Sequence, residues 1–110
     1  MRKVDIYKYR KHRGYISGLM RVNKLSFRDM AALLGISKGV LHGICKKSEH
    51  KRHLTAAIKL RLAQVFELTY DEQIYLTLLS ALDRGRTPRK EEIRILDLVT
   101  GGSTEWLKDQ

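Results

Sequence analysis

The fold is decided by residues 25–47, which read LSFRDMAALLGISKGVLHGICKK. Two apolar patterns of helical period lie on either side of Gly35, a residue that readily takes the left-handed conformation in which helices end sharply. Ser26 and Ser37 each stand where a helix begins, because their side-chain oxygens can accept a hydrogen bond from an unpaired backbone N–H. Asp29 follows Ser26 by three residues, as in a capping box. The stretch therefore predicts two short helices joined by a tight turn.

Each of these predicted helices has one apolar face, and the second has a separate polar edge. The apolar residues are Met30, Ala31, Leu33 and Leu34 in the first helix and Leu41, Ile44 and Cys45 in the second. The polar edge is formed by Lys38, His42 and Lys46, with Gly39 and Gly43 beside it. Glycine inside a helix costs about 0.5–1 kcal/mol relative to alanine, and either close approach to DNA or close helix packing can compensate for it.

Positive charge is concentrated in the first half of the chain. Residues 1–53 contain 14 Lys and Arg against 3 acidic residues, a net charge of +11, whereas residues 54–110 contain 8 against 9, a net charge of −1. Phosphate contacts need Lys and Arg and a packing surface does not, so the asymmetry indicates a polyanion-binding module joined to a neutral part. The alternative is that the basic residues only keep a small protein soluble.

Length and composition predict one domain of 110 residues. A chain this short gains stability by burying apolar surface against a partner, so a homodimer is expected. A single cysteine excludes an intramolecular disulfide framework. No apolar run reaches the length of a signal sequence or a membrane span, which predicts a cytoplasmic protein that does not bind membranes.

The N-terminal residues 1–14 are strongly basic and contain Tyr7 and Tyr9. We expect a basic arm, at least partly ordered, that follows phosphates or enters a minor groove. The alternative is an early helix whose Val4, Ile6 and Tyr9 dock on the core.

Apolar residues at helical spacing predict one helix before residues 25–47 and one after them. The earlier helix begins at Tyr15, and the later one is capped by Thr55. Their inward faces are formed by Ile16, Leu19 and Met20 and by Ile58, Leu62, Val65 and Phe66.

Two more helices are predicted in the neutral half of the chain. Thr69 and Glu72 form a capping box that begins the fifth helix, and Thr87, followed by proline, caps the sixth. The apolar surface of these helices is wider than one neighbour needs, which predicts a dimer contact. Its residues are Tyr75, Leu76, Leu79, Leu82, Ile93 and Leu96. Further on, Trp106 and Leu107 are expected to dock on an apolar surface.

Residues 15–80 resemble the helix-turn-helix domain of the Cro and phage-repressor family, also called the XRE type. The resemblance is carried by Met30-Ala31, by Leu34-Gly35-Ile36-Ser37, by Leu41 and Ile44, and by the segment FELTYDE, which is similar to the family's LGVSLDE. It implies an all-α, lambda-repressor-like domain of five helices that binds operator DNA, commonly as a dimer on a two-fold-related site. Residues 81–110 lie outside the resemblance and are expected to form an additional C-terminal helical extension that serves dimerisation.

The resemblance also implies which residues meet double-stranded DNA. The base-reading positions are Lys38, Gly39, His42, Gly43 and Lys46. The phosphate-binding positions are Lys24, Ser26, Arg28, Ser37, Lys47, Lys51 and Arg52. Two residues depart from the family pattern: Phe27 stands where the family often has a glutamine that binds a phosphate, and Cys45 stands where an acidic residue is frequent.

We therefore expect a sequence-specific DNA-binding transcriptional regulator, namely a repressor that acts as a homodimer, with no catalytic residue and no cofactor. The alternative is an antitoxin-type autoregulator whose C-terminal part binds a partner protein. An enzyme is disfavoured because clustered carboxylates, a glycine-rich phosphate loop and a nucleophile–base pair are all lacking from the sequence. RNA binding is disfavoured because no RNP-like aromatic motif occurs.

A zinc site is the remaining alternative, formed by His42, Cys45, His50 and His53. Imidazole and thiolate ligands suit a tetrahedral zinc ion. Against this alternative, Cys45 belongs to an apolar helix face, and the later histidines lie in a basic loop that repels cations. We expect no metal.

Overall fold

The computed structural model describes residues 1–46, 53–102 and 106–107. Within these ranges the chain is all-α with six α-helices, as predicted, and Ile6–Lys8 forms a 3-10 turn in addition. In chain order the elements are the 3-10 turn Ile6–Lys8, α1 His12–Val22, α2 Phe27–Leu34, α3 Lys38–Cys45, α4 Ala56–Val65, α5 Tyr70–Asp83 and α6 Lys90–Thr100. None of these helices combines the length and the apolar character needed to cross a bilayer.

Side-chain caps determine where four of the helices begin. At the start of α2, Ser26 Oγ accepts a hydrogen bond from the Asp29 N–H, and Asp29 Oδ2 accepts one from the Ser26 N–H, both at 3.1 Å. The remaining caps are Ser37 for α3, Thr55 for α4 and a second capping box of Thr69 and Glu72 for α5. These four caps were predicted and are confirmed, and each stabilises its helix by about 1 kcal/mol.

Two helices begin elsewhere than predicted. α1 begins at His12, ahead of Tyr15, because His12 is itself buried in the core and the first turn of the helix is packed. α6 begins at Lys90, and its N-cap is Arg89, which makes no side-chain cap hydrogen bond within the described part of the chain. The predicted cap at Thr87 is wrong, because the buried Pro88 holds this segment against the protein outside the helix.

The core lies between α5 and the helices around it. α5 packs against the 3-10 turn, α1, α4 and α6, while α3 packs against α1 and α2. The largest fully buried side chains are Tyr15, Tyr75 and Phe66. Burying an aromatic side chain of this size stabilises a fold by roughly 1.5–3 kcal/mol. Trp106 and Leu107 also dock on the core, as predicted.

Burial corrects the predicted dimer contact. Its six residues fall into two groups: Tyr75, Leu76, Leu79 and Leu96 are at most 1% exposed, and Leu82 and Ile93 are half-buried against the core. The wide apolar stripe of α5 is covered by several elements of the same chain, so a second copy of the protein is not needed to bury it. Among the described side chains of α6, the exposed large apolar ones are instead Ile95 and Leu98, which are 51% and 81% exposed.

The N-terminal segment is docked on the helices rather than extended as an arm. Ile6 is fully buried, and the Tyr75 hydroxyl donates a hydrogen bond to the backbone carbonyl of Tyr9. Lys3 Nζ lies 2.9 Å from Glu72 Oε1 at the start of α5. Docking was the alternative expectation for this segment, although the segment forms a 3-10 turn rather than an α-helix of its own.

Candidate nucleic-acid interface

The turn between α2 and α3 is set by local interactions. Gly35 has φ 68° and ψ 30°, a left-handed conformation that favours glycine, and its N–H donates to the Ala32 carbonyl. Ile36 donates to the Ala31 carbonyl at 3.0 Å. Ser37 then begins α3 at once, because its Oγ accepts a hydrogen bond from a backbone N–H in the first turn. The direction of α3 relative to α2 therefore follows from a few neighbouring residues.

The inward faces of α2 and α3 agree with the prediction. The buried members are Met30, Ala31, Leu34, Leu41 and Ile44, and the half-buried ones are Leu33 and Cys45. The guanidinium Nε of Arg61, on α4, donates to the backbone carbonyl of Leu33 at 2.9 Å. This bond satisfies a carbonyl that the end of a helix leaves unpaired. α2 is thus held at both ends, by its capping box and by α4.

The opposite edge of α3 is open to solvent. Lys38 and Lys46 are exposed, and His42 is half-buried between them along the helix. Lys38 and His42 are one helical turn apart, so both side chains leave α3 on the same side. Lys46 is the C-cap residue that directly follows the last residue of the helix. Three of the predicted base-reading residues therefore lie together on one edge.

The two glycines of α3 differ in their surroundings. Gly43 is buried in the fold, so its predicted role in base reading is wrong: a residue enclosed by protein cannot meet a base. Gly39 is exposed, and among the described residues only Ser37 Oγ, at 3.9 Å, would lie near a Cβ added there. Gly43 is thus buried in the fold, whereas Gly39 is open to solvent.

An aromatic stack joins the two helices at this edge. The rings of Phe27, the first residue of α2, and His42 have centroids 4.0 Å apart and planes only 7° apart. Sequence reasoning noted Phe27 only as a departure from a family pattern and missed its partner. The available signal was an aromatic side chain at an exposed helix start, where polar residues are usual.

The surface around α2 and α3 is cationic. Residues 24–46 contain four basic residues, Lys24, Arg28, Lys38 and Lys46, all exposed, against one acidic residue, Asp29. Backbone and side-chain hydrogen bonds from Ser26 lower the pKa of the Asp29 carboxyl. The Asp29 carboxylate therefore stays ionised while it accepts the hydrogen bond of the helix cap. Basic groups therefore dominate the electrostatics of this surface.

Lys24 has an unusual backbone conformation. It follows α1 with φ 54°, a left-handed value that costs an L-residue with a side chain about 1 kcal/mol. The turn is held by the N–H of Leu25, which donates to the Met20 carbonyl at 2.8 Å. The Lys24 side chain itself is exposed beside the start of α2.

A further basic group lies beside the end of α3. Lys11, Arg13, Gly14, Ser17 and Cys45 line an open cleft of about 360 Å³ between the first turns of α1 and the last turn of α3. Sequence reasoning placed these cations in an arm and missed the cleft. Burial raises the pKa of the Cys45 thiol, which favours its neutral form. The positive surface thus continues from α3 to α1.

Part of the predicted site lies outside the described residues. This applies to the phosphate-binding candidates Lys47, Lys51 and Arg52 and to the zinc-ligand candidate His50. Within the described ranges, no three His, Cys, Asp or Glu side chains are grouped as a metal site requires. Cys45 packs against the core instead.

Comparison with protein-family models, with curated proteins and with solved structures gives no match. The class defined by the fold is an all-α protein, and its distinguishing surface is the cationic edge of α3 with the residues around it.

Proposed function

We propose that this chain is a sequence-specific DNA-binding transcriptional repressor in which α2 and α3 form a helix-turn-helix of the lambda-repressor-like, XRE type. One observation carries the proposal. α3 buries one face in the protein and presents Lys38 and Gly39 to solvent on another, with the exposed Lys46 at its C-cap, within a surface of net positive charge. An exposed helix of this kind fits the major groove of B-DNA, where bases present distinct hydrogen-bonding patterns. The proposal includes no catalytic step, no cofactor and no membrane contact.

Base reading is assigned to the edge of α3. Lys38 lies in the first turn of the helix, and its ammonium can donate to guanine O6 or N7. His42, one turn later, can donate from a ring nitrogen to the same acceptors. Gly39 lies between them without a side chain, which allows the backbone of α3 to approach the DNA closely.

Phosphate binding is assigned to the residues that flank this edge. Lys24 and Arg28 lie at the start of α2, and Ser26 and Ser37 lie at the two helix N-termini, where backbone N–H groups favour anions. Contacts to phosphates position the protein on the duplex and carry no sequence information. These residues are therefore expected to set affinity and register rather than specificity.

The proposed repressor acts as a homodimer on a two-fold-related operator. Ile95 and Leu98 are three residues apart on α6 and largely exposed, so they lie on one helix face. We assign the dimer contact to this face in place of the buried residues of α5. Leu98→Glu is expected to convert a dimer into a folded monomer, as measured by sedimentation and circular dichroism.

Selection of binding sites from random duplex DNA tests the function directly. The expected result is enrichment of one two-fold-related sequence by the full chain. Lys38→Ala is expected to lose that preference, whereas the control Lys90→Ala, an exposed lysine on α6, retains it. Recovery of no preferred sequence by the wild-type chain would overturn the proposal.

An antitoxin-type autoregulator is the second candidate, and the exposed Ile95 and Leu98 favour it as well, because a partner protein can cover them in place of a second copy. The two candidates differ in what accompanies the chain. A stoichiometric small protein that copurifies with the chain, and is lost on Leu98→Glu, supports the antitoxin. A homodimer that binds the selected operator without any other protein supports the plain repressor.

A further inference from the structure

We propose that Phe27 determines sequence specificity through His42: its ring fixes the plane of the imidazole, and thereby the direction in which His42 offers its ring nitrogens to a base. The inference rests on the proposed DNA binding. It assigns to Phe27 a positioning role, since the base is contacted by His42 and not by the phenyl ring.

The geometry of the stack supports this role. With centroids 4.0 Å apart and planes 7° apart, the phenyl ring covers one face of the imidazole. Ring nitrogens donate and accept hydrogen bonds in the plane of the ring. A neighbouring ring that covers one face therefore does not block these hydrogen bonds. Rotation of the His42 side chain about its ring bond would break the stack. The contact therefore restricts the ring plane and leaves the hydrogen-bonding edge open.

Phe27 is itself held in place by the structure around it. Phe27 directly follows Ser26, so it sits inside the capping box of α2, and its side chain packs partly against the core. His42 stands on α3, whose start is capped by Ser37. Two capped helices that pack against each other thus hold the two rings in place. A side chain that is already ordered loses less conformational entropy on binding, and this strengthens the contact it makes.

The charges around the pair are compatible with a base contact. Lys38 and Lys46 lie on the same edge of α3, and the acidic Asp29 near Phe27 is engaged by Ser26. A neighbouring ring therefore sets the direction of the His42 imidazole. The side chains of Lys38 and Lys46, by contrast, are flexible cations.

A set of variants on the selected operator tests the inference. Binding is measured at one salt concentration for the operator and for each of its single base-pair variants, using the wild-type chain, His42→Ala, Phe27→Leu and Phe27→Tyr. Phe27→Leu keeps an apolar side chain and removes the stack, whereas Phe27→Tyr keeps an aromatic ring in place. Thermal unfolding identifies any variant that is not folded at the assay temperature. If Phe27→Leu is not, Phe27→Met replaces it.

We expect the loss of sequence discrimination to be confined to one base pair of the operator. Phe27→Leu loses about five- to tenfold discrimination at the base pair where His42→Ala loses it, and retains discrimination elsewhere. Phe27→Tyr retains the wild-type pattern, and the double variant Phe27→Leu, His42→Ala discriminates no worse than His42→Ala alone.

Two results would overturn the inference, and they are distinguishable from failure of the proposed function. Full discrimination by Phe27→Leu shows that the stack does not guide His42. A uniform loss of affinity for all sequences shows that Phe27 only supports the fold. If the wild-type chain selects no operator, the proposed function and this inference fall together.

Discussion

The hydroxyl of Tyr75 donates a hydrogen bond to the backbone carbonyl of Tyr9, a residue 66 positions earlier in the chain. The bond joins α5 to the basic N-terminal segment. Around it, the rings of Tyr7 and Tyr75 meet edge to face with centroids 5.1 Å apart, and those of Tyr9 and Tyr15 with centroids 5.9 Å apart. Burial raises the pKa of Tyr75 to about 12, which keeps its hydroxyl protonated as the donor. A row of tyrosines thus attaches the N-terminal cations to the core.

Removal of that hydroxyl should destabilise the fold. Tyr75→Phe leaves the Tyr9 carbonyl without its donor, so the free energy of unfolding is expected to fall by about 1 kcal/mol. Tyr70→Phe is the matched control, because Tyr70 is 77% exposed and should change stability by less than about 0.5 kcal/mol. Urea denaturation measures both. Equal effects of the two substitutions would show that the bond contributes no net stability.

Acid should weaken the attachment of Lys3 to α5. Partial burial raises the pKa of Glu72, but hydrogen bonds from Thr69 and from Lys3 outweigh it, and the folded pKa lies below the ordinary value of 4.5. A depressed carboxyl pKa contributes stability that is present above the unfolded value and is lost as the pH falls through the folded value. Unfolding measured below pH 4.5 should therefore show a shallower pH dependence for Glu72→Gln than for the wild type.

The control for this experiment is Glu91→Gln, since Glu91 is exposed on α6. It should leave the acid dependence of stability unchanged. If the stability of Glu72→Gln depended on pH as steeply as that of the wild type, other carboxyls would account for the loss of stability in acid.

Alanine at two helical glycines should have opposite effects. Gly39→Ala adds a methyl group to open space, so stability is expected to rise by about 0.5–1 kcal/mol. At Gly18, inside α1, a Cβ would collide with the Tyr9 ring near its hydroxyl, so Gly18→Ala should lower the melting temperature. If DNA approaches α3 closely at Gly39, Gly39→Ala should also lower operator affinity, by about tenfold. A more stable variant with unchanged affinity would contradict close approach at this position.

Substitutions at Lys38 and Arg28 should affect DNA binding in different ways. Lys38→Ala is expected to lose about 1–3 kcal/mol of discrimination between operator and altered sites, because it removes the donor to base edges that is proposed for Lys38. Arg28→Ala is expected to weaken binding to all sequences and to reduce the slope of log affinity against log salt by about one unit, because it removes the phosphate contact proposed for Arg28. Titrations at several salt concentrations separate the two effects. If Lys38→Ala gave the uniform loss instead, the base-reading edge would have to lie elsewhere.

Features made by neighbouring residues were predictable from the sequence. The Ser26–Asp29 capping box, the caps at Ser37 and Thr55 and the left-handed turn at Gly35 depend on side chains reaching backbone groups only a few positions away. The candidate interface shares this property in part, because Lys38 and His42 lie on one edge by helical geometry alone. The prediction failed at Thr87, where burial of the following proline outweighed the local capping preference.

What only the tertiary structure decided is which faces meet. An amphipathic pattern shows that a face is buried but not what covers it, so the apolar stripe of α5 around Leu79 was assigned to a second copy when its partners lie within the chain. The docking of the N-terminal segment and the stack of Phe27 on His42 have the same origin, since each joins elements whose separation in space depends on the packing of the whole core. The sequence by itself determined the helices and the charge of the α3 edge. The three-dimensional packing decided that an aromatic ring supports this edge and that the tyrosines hold the N-terminal cations to the core.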